Sequence, residues 1–135
     1  MTLFSQVVAI LESRETRFAV IGASADRTKY GNKVLRAYMQ QGRKVFPVNP
    51  KQTQIEGLPC YAELASLPEP VHGVSIVTPP AVTERMVEQV AAAGIEHVWL
   101  QPGAESRTAV EKAEQLGLSI IAGGPCALVA LHYRE

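Results

Sequence analysis

The sequence predicts an α/β fold, a parallel sheet covered by helices on both faces, from three observations. Five short β-rich runs, at 18–21, 44–48, 73–77, 97–100 and 118–122, alternate with segments of helical periodicity. The runs are largely continuous in apolar character instead of alternating, as strands buried on both sides read. Each ends in a small or proline-rich turn: Gly22-Ala23-Ser24, Val48-Asn49-Pro50, Thr78-Pro79-Pro80, Gln101-Pro102-Gly103 and Gly123-Gly124-Pro125. The expected architecture is a single Rossmann-like, doubly wound parallel five-stranded sheet. Right-handed crossovers give the strand order 3-2-1-4-5, with the switch point between the first and fourth strands.

The elements follow in order. Phe4, Val7, Val8 and Leu11 recur at helical spacing, so a short amphipathic helix is expected before Arg17. Phe18-Ala19-Val20-Ile21 is the first strand. Past the polar loop, Val34, Leu35, Tyr38 and Met39 define a helix that stops at Gly42. Lys44 to Val48 is the second strand, and a loop through Gly57-Leu58-Pro59 leads to a short helix near Ala62 to Ser66. Gly73 to Val77 is the third strand, stopped by two prolines, and Val82, Met86, Val87 and Val90 define the helix after it. His97 to Leu100 is the fourth strand. Ala109, Val110, Ala113 and Leu116 form the next helix, Leu118 to Ala122 the fifth strand, and Cys126 to Leu131 a closing helix with Pro125 at its first position.

At 135 residues the chain suits one domain, residues 1–135, with enough apolar sequence for a core without staples. Thirteen basic and thirteen acidic residues cancel, so no overall field recruits nucleic acid or an anionic membrane. The N-terminus has no long apolar region and no cleavage pattern, and a cytoplasmic protein is expected. Cys60 and Cys126 lie far apart without metal-ligand spacing and are read as free thiols. Trp99 and Tyr133 are the aromatic candidates for an interaction surface.

The chemistry concentrates at Gly22-Ala23-Ser24 and the loop to Gly31-Asn32. Gly22 permits close backbone approach, Ser24 offers a hydroxyl and an amide, and the next helix points its partly positive N-terminus at the same place. An anion is the natural guest. The dinucleotide fingerprint is nevertheless mostly missing. Ser24 and Arg27 occupy the next two glycine positions, and the second strand ends in Asn49-Pro50-Lys51 without a carboxylate. NAD is disfavoured, and Arg27, Lys29 and Lys51 suit a ligand richer in phosphate.

Gly22-Ala23-Ser24, Lys29-Tyr30-Gly31-Asn32, Phe46-Pro47-Val48-Asn49-Pro50, Ile55-Glu56-Gly57, Val77-Thr78-Pro79-Pro80 and Trp99-Leu100-Gln101-Pro102-Gly103 together resemble the small CoA-binding-domain family. That family is similar to the CoA-binding domain of the succinyl-CoA synthetase alpha subunit. The resemblance covers nearly the whole chain and implies coenzyme A along the strand ends, its adenosine diphosphate near Gly22. By that resemblance Ser24 and the loop to Lys29, Arg27 included, would hold phosphate, and Gly22, Ala23 and Tyr30 are expected in the same cofactor site. Pro47, Val48, Asn49, Pro50 and Lys51 would flank the nucleotide, and Pro79 and Pro80 would wall the pantetheine side, with Thr78 and Gln101 also expected in the cofactor site. Members commonly end the fifth strand with an acidic and basic pair before the cysteine; Gly123-Gly124-Pro125-Cys126 is closer to the synthetase's own turn.

A ligase would need the synthetase's phosphorylated histidine, which by resemblance belongs to a second domain that this chain is expected to lack. His72, His97 and His132 are read as solvated or packing residues, and Glu84, Glu88, Glu111 and Glu114 as solvated helix faces. No spacing supports a catalytic triad or paired carboxylates, and Thr78 stands where a receiver domain would carry aspartate. Cys126 is read as a packing thiol ahead of a nucleophile. The expected function is binding of coenzyme A or an acyl-CoA, without evident catalytic machinery. The partner is that small molecule, with no metal, nucleic acid or membrane and with no protein partner legible. The alternative is an NAD(P)-binding oxidoreductase or regulatory module.

Overall fold

The computed structural model describes residues 15–124 and 126–135, together with Ala9, Leu11 and Glu12. In chain order its elements are β1 (Phe18–Ile21), α1 (Tyr30–Gln40), β2 (Val45–Val48), β3 (Gln54–Ile55), β4 (Leu58–Pro59), a 3-10 turn (Leu64–Ser66), β5 (Gly73–Ile76), α2 (Pro80–Ala92), β6 (His97–Leu100), α3 (Arg107–Gln115), β7 (Ser119–Ile121) and α4 (Ala127–Ala130). The helix expected before β1 and the role of Pro125 fall outside the described residues, Leu11 excepted.

β1 has a parallel neighbour on each side, β2 and β5, and with helices over both faces it is buried along its whole length. β6 and β7 continue the sheet in the order β2-β1-β5-β6-β7, with every pair parallel. The expected order 3-2-1-4-5 puts a strand outside β2. That outer place belongs to Tyr61, which makes a single parallel bridge to Val48. Its N–H donates to the Pro47 carbonyl at 3.0 Å, and its carbonyl accepts from Asn49 N at 2.9 Å. With Tyr61 counted third the positions run 3-2-1-4-5-6, the expected order with β7 added at the far edge. The correction concerns assignment: Gly73–Ile76, read as the third strand, pairs with β1. Pro59, two residues before Tyr61, is paired in the β3–β4 hairpin and has no amide to donate, and the chain enters the 3-10 turn at Leu64, so the bridge does not grow into a strand. The switch point lies between β1 and β5.

Alternation along the strands divides the core in two. Phe18, Val20, Val45, Trp99 and Ile121 face α1 and α4 through Leu35, Tyr38, Ala127 and Leu131. Ala19, Ile21, Phe46, Val74, Ile76, Val98 and Leu100 face α2 and α3 through Val87, Val90, Ala109 and Ala113. Trp99, expected as a surface aromatic, is 1% exposed, because an odd position on an inner strand points into the first layer. The loop read at Gly57-Leu58-Pro59 contains a hairpin, β3 paired antiparallel to β4. Glu56 (φ 51) and Gly57 (φ 79) form its two-residue turn, and positive φ at both positions matches the twist of the strands they join.

One polar bond crosses the first layer. Tyr38 stacks on Phe18, ring centroids 4.7 Å apart, and its hydroxyl meets Ser75 Oγ at 2.6 Å. Both residues are fully buried, so each hydroxyl depends on the other. Burial pushes the Tyr38 phenol well above its ordinary value, and the Ser75 bond offsets only part of that. The folded state therefore holds the neutral phenol. Its contribution is intact below the ordinary tyrosine value near 10 and is lost as pH rises from there towards the raised one. Tyr38→Phe should cost about 1–3 kcal/mol in urea denaturation by leaving Ser75 unpaired, and Tyr38→Phe/Ser75→Ala should recover part of the loss. A neutral Tyr38→Phe would show that the bond contributes nothing.

Candidate functional site

The carboxyl edge of the sheet is shaped by two glycines in series. Gly22 has φ +92 and its amide bonds the Val48 carbonyl, which leaves it directly against the end of β5. A Cβ there would lie 2.0 Å from the Val77 carbonyl oxygen. Gly31, in the first turn of α1, rests on Gly22 in turn; its Cβ would lie 2.1 Å from the Gly22 carbonyl oxygen. The helix start is thereby brought onto the strand end, as an anion site of this kind requires.

The loop between them is tied from within and from outside. Ser24 Oγ accepts from Asp26 N at 3.1 Å, and Asp26 Oδ1 accepts from Thr28 N (2.9 Å) and Thr28 Oγ1 (2.7 Å). The Thr28 bonds, with Lys29 nearby, hold the Asp26 carboxyl below its ordinary value. This tie is present above the usual carboxylate range and is lost as pH falls through the lowered value. Buried Asn32 donates to the Ser24 carbonyl (2.9 Å) and to Glu56 (3.1 Å), while Arg36 donates to Asn32 and to the Arg27 carbonyl. Arg27 donates to Glu56 Oε1 at 2.8 Å. Glu56 therefore clamps the loop from the hairpin turn, and two of its bonds compensate a left-handed backbone that glutamate rarely adopts.

A cleft of about 490 Å³ opens beside Gly22, between the end of β2 and α2. Gly22, Val48, Asn49, Pro50, Lys51 and Thr78 line it, which brings together residues from three strand ends. Asn49 is already engaged at both ends, donating to the Ala23 carbonyl (2.8 Å) and accepting from Lys51 N (2.8 Å). Ala23 and Pro47 are buried under the edge, and Lys29 is exposed on the loop. The opposite wall carries residues that the sequence reading passed over as sites: Val82, Arg85, Met86 and Gln89. They sit at i, i+3, i+4 and i+7 and so share one face of α2. The signal was present in the apolar pattern: Val87 and Val90 are fully buried on the sheet, while Val82 and Met86 are only half-buried, facing the cleft.

A second cleft of about 280 Å³ lies on the far side of Thr78, lined by Tyr30, Thr78, Pro79, Pro102 and Gly103. Pro80 is exposed at the start of α2, and Thr83 holds that turn by bonding Thr78 Oγ1 at 2.7 Å. Gln101 is buried behind this cleft. Its Oε1 accepts from Ala127 N (2.7 Å) and, at longer range, from Tyr30 OH (3.3 Å). Its Nε2 is buried without a partner among the described residues. Partial burial pushes the Tyr30 phenol up, and the adjacent Cys126 thiol adds to the shift. Cys126 precedes α4 as its N-cap residue, half-buried and free. Among the described residues no cluster of three or more potential metal ligands occurs, and no helix is long and apolar enough to cross a membrane.

A doubly wound parallel sheet with its clefts at the switch point is an architecture that takes ligands at this edge. The sequence profile of the CoA binding domain family matches residues 16–132, and the chain belongs to that family. It is 32% identical over 120 residues to an ADP-forming acetate–CoA ligase I from Archaeoglobus fulgidus, an alignment that covers 82% of this chain and 17% of the ligase. The chain thus spans under a fifth of that relative's length. Among solved structures it resembles a hypothetical protein from Pyrococcus horikoshii OT3, with TM-score 0.89 and 30% identity, covering 98% of this chain and 91% of the other. A conserved hypothetical protein from Pyrococcus furiosus is 37% identical, with TM-score 0.80, over 84% and 97% of the two chains.

The packing at Gly31 makes a prediction whose sign is informative. In an ordinary helix Gly→Ala stabilises by about 0.5–1 kcal/mol. Here the methyl group meets a backbone carbonyl, so Gly31→Ala should destabilise, by about 1–3 kcal/mol in urea denaturation. A more stable Gly31→Ala protein would mean that the helix start does not bear on Gly22.

Proposed function

We propose that the chain, acting as a single domain, binds coenzyme A or an acyl-CoA at the carboxyl edge of its sheet. The observation that carries this reading is the cleft beside Gly22: about 490 Å³, within the range of roughly 300–1,000 Å³ usual for small-molecule sites, and continuous with a loop built to meet phosphate. Membership of the CoA binding domain family and the likeness to acetate–CoA ligases support the choice of ligand.

In this reading the diphosphate lies against Gly22, Ala23 and Ser24 and the start of α1, where backbone N–H groups and the helix dipole favour negative charge. Lys29 and Tyr30 border it. Arg27 acts at one remove, since its guanidinium is bonded to Glu56 and shapes the loop. Pro47, Val48, Asn49, Pro50 and Lys51 form the nucleotide side of the cleft. Thr78, Pro79 and Pro80 separate it from the smaller cleft, which takes the pantetheine arm, with Gln101 and Tyr30 behind. The end of β2 carries no carboxylate to hold the two free ribose hydroxyls of NAD.

In a thermal-shift titration at fixed ionic strength, coenzyme A should stabilise the protein more than NAD, FMN or ATP. A ligand at a hundred times its Kd adds about 2.7 kcal/mol. Equal or larger shifts with NAD would overturn the reading. Lys29→Ala should weaken coenzyme A by roughly tenfold, about 1.4 kcal/mol, with the apo melting temperature unchanged. Unchanged affinity would remove Lys29 from the phosphate site.

A further inference from the structure

The cations of this protein are unequally committed. Away from the edge most are paired: Arg17 and Lys44 with Glu69, Lys33 with Glu135, Arg107 with Glu111 and Lys112 with Glu88. At the edge Arg27 is paired with Glu56. Lys51 and Arg85 are different. Both line the larger cleft, one from the turn after β2 and the other from the second turn of α2, and neither has a side-chain partner among the described residues. The lining contains one carboxylate, Glu63, so the cleft carries an excess of positive charge next to an apolar wall of Val82 and Met86.

We infer that Arg85, together with Lys51, reads the 3′-phosphate of coenzyme A and so sets the specificity of the cleft for a phosphorylated ribose. The inference rests on the proposed coenzyme A reading and adds the feature of the ligand that this wall selects. The loop at Gly22 and Lys29 accounts for the diphosphate, which leaves two uncommitted cations in the adjoining cleft and a ligand whose remaining charge is one phosphate on the ribose. Asn49 is held in one orientation by its bonds to the Ala23 carbonyl and the Lys51 amide and brings no charge to the cleft. A guanidinium presents a planar fork of donors that matches two phosphate oxygens, whereas the ammonium of Lys51 adds a point charge. Arg85 lies on the same face of α2 as the apolar pair, so one helix wall meets both the base and the phosphate beside it.

The test compares coenzyme A with dephospho-CoA, which differs only in the 3′-phosphate, by calorimetry at fixed ionic strength. The parent protein should prefer coenzyme A by about tenfold or more. Arg85→Gln should reduce that preference to within about threefold while leaving dephospho-CoA affinity and the apo melting temperature unchanged, and Arg85→Lys should restore part of it. Equal weakening of both ligands would overturn the inference, because Arg85 would then be stacking on the base. A parent protein that binds the two ligands equally would overturn it too, while leaving the coenzyme A reading intact. If neither ligand binds, both readings fail together.

Discussion

The structure at this edge depends on a close approach of three backbone segments. The carbonyl of Val77 abuts Gly22, and the carbonyl of Gly22 abuts Gly31, with no room for a Cβ at either glycine. This contact fixes how near α1 can come to the end of β1, and therefore where its unpaired N–H groups point. It also pins the end of β5 beside β1 at the switch point, where the chain leaves β1 for α1 on one face of the sheet and β5 for α2 on the other. The cleft follows from that divergence: helices on opposite faces leave the strand ends uncovered between them.

Around this contact the charged residues divide into two kinds of work. Glu56, Arg27 and Arg36 bond to one another directly or through the Asn32 amide and to the loop backbone, so their charges are spent on shape. Lys29, Lys51 and Arg85 have no side-chain partner among the described residues, and an uncommitted cation is what an incoming phosphate can use without first breaking a bond. The zero net charge of the chain fits this arrangement, since attraction comes from position instead of from an overall field.

Much of the fold was legible because it follows from burial. Strands covered on both faces cannot alternate, so Phe18–Ile21 and Gly73–Ile76 announce themselves, and glycines and prolines mark their ends. What failed was non-local. The place of Gly73–Ile76 depends on what residues 54–72 build outside β2, and there the hairpin before Tyr61 and the 3-10 turn after it leave room for one bridge, which periodicity does not register. The hairpin at Glu56-Gly57 was hidden because glutamate is a poor turn residue there and is held by bonds to Arg27 and Asn32, 29 and 24 residues away in sequence. At the edge, the glycine and the strand-end turns were visible as a set. Arg85 was not, because one helix pattern served two faces and only the structure separates Val87 on the sheet from Met86 on the cleft.

The central claim is that the Gly22–Gly31 contact builds a phosphate cradle at the start of α1. Amide-resolved NMR titration with coenzyme A tests it most directly. The account predicts the largest shifts at the backbone amides of residues 22–24 and 29–32, with smaller ones along Val82 to Gln89. Shifts concentrated elsewhere, with those amides unmoved at saturation, would contradict it.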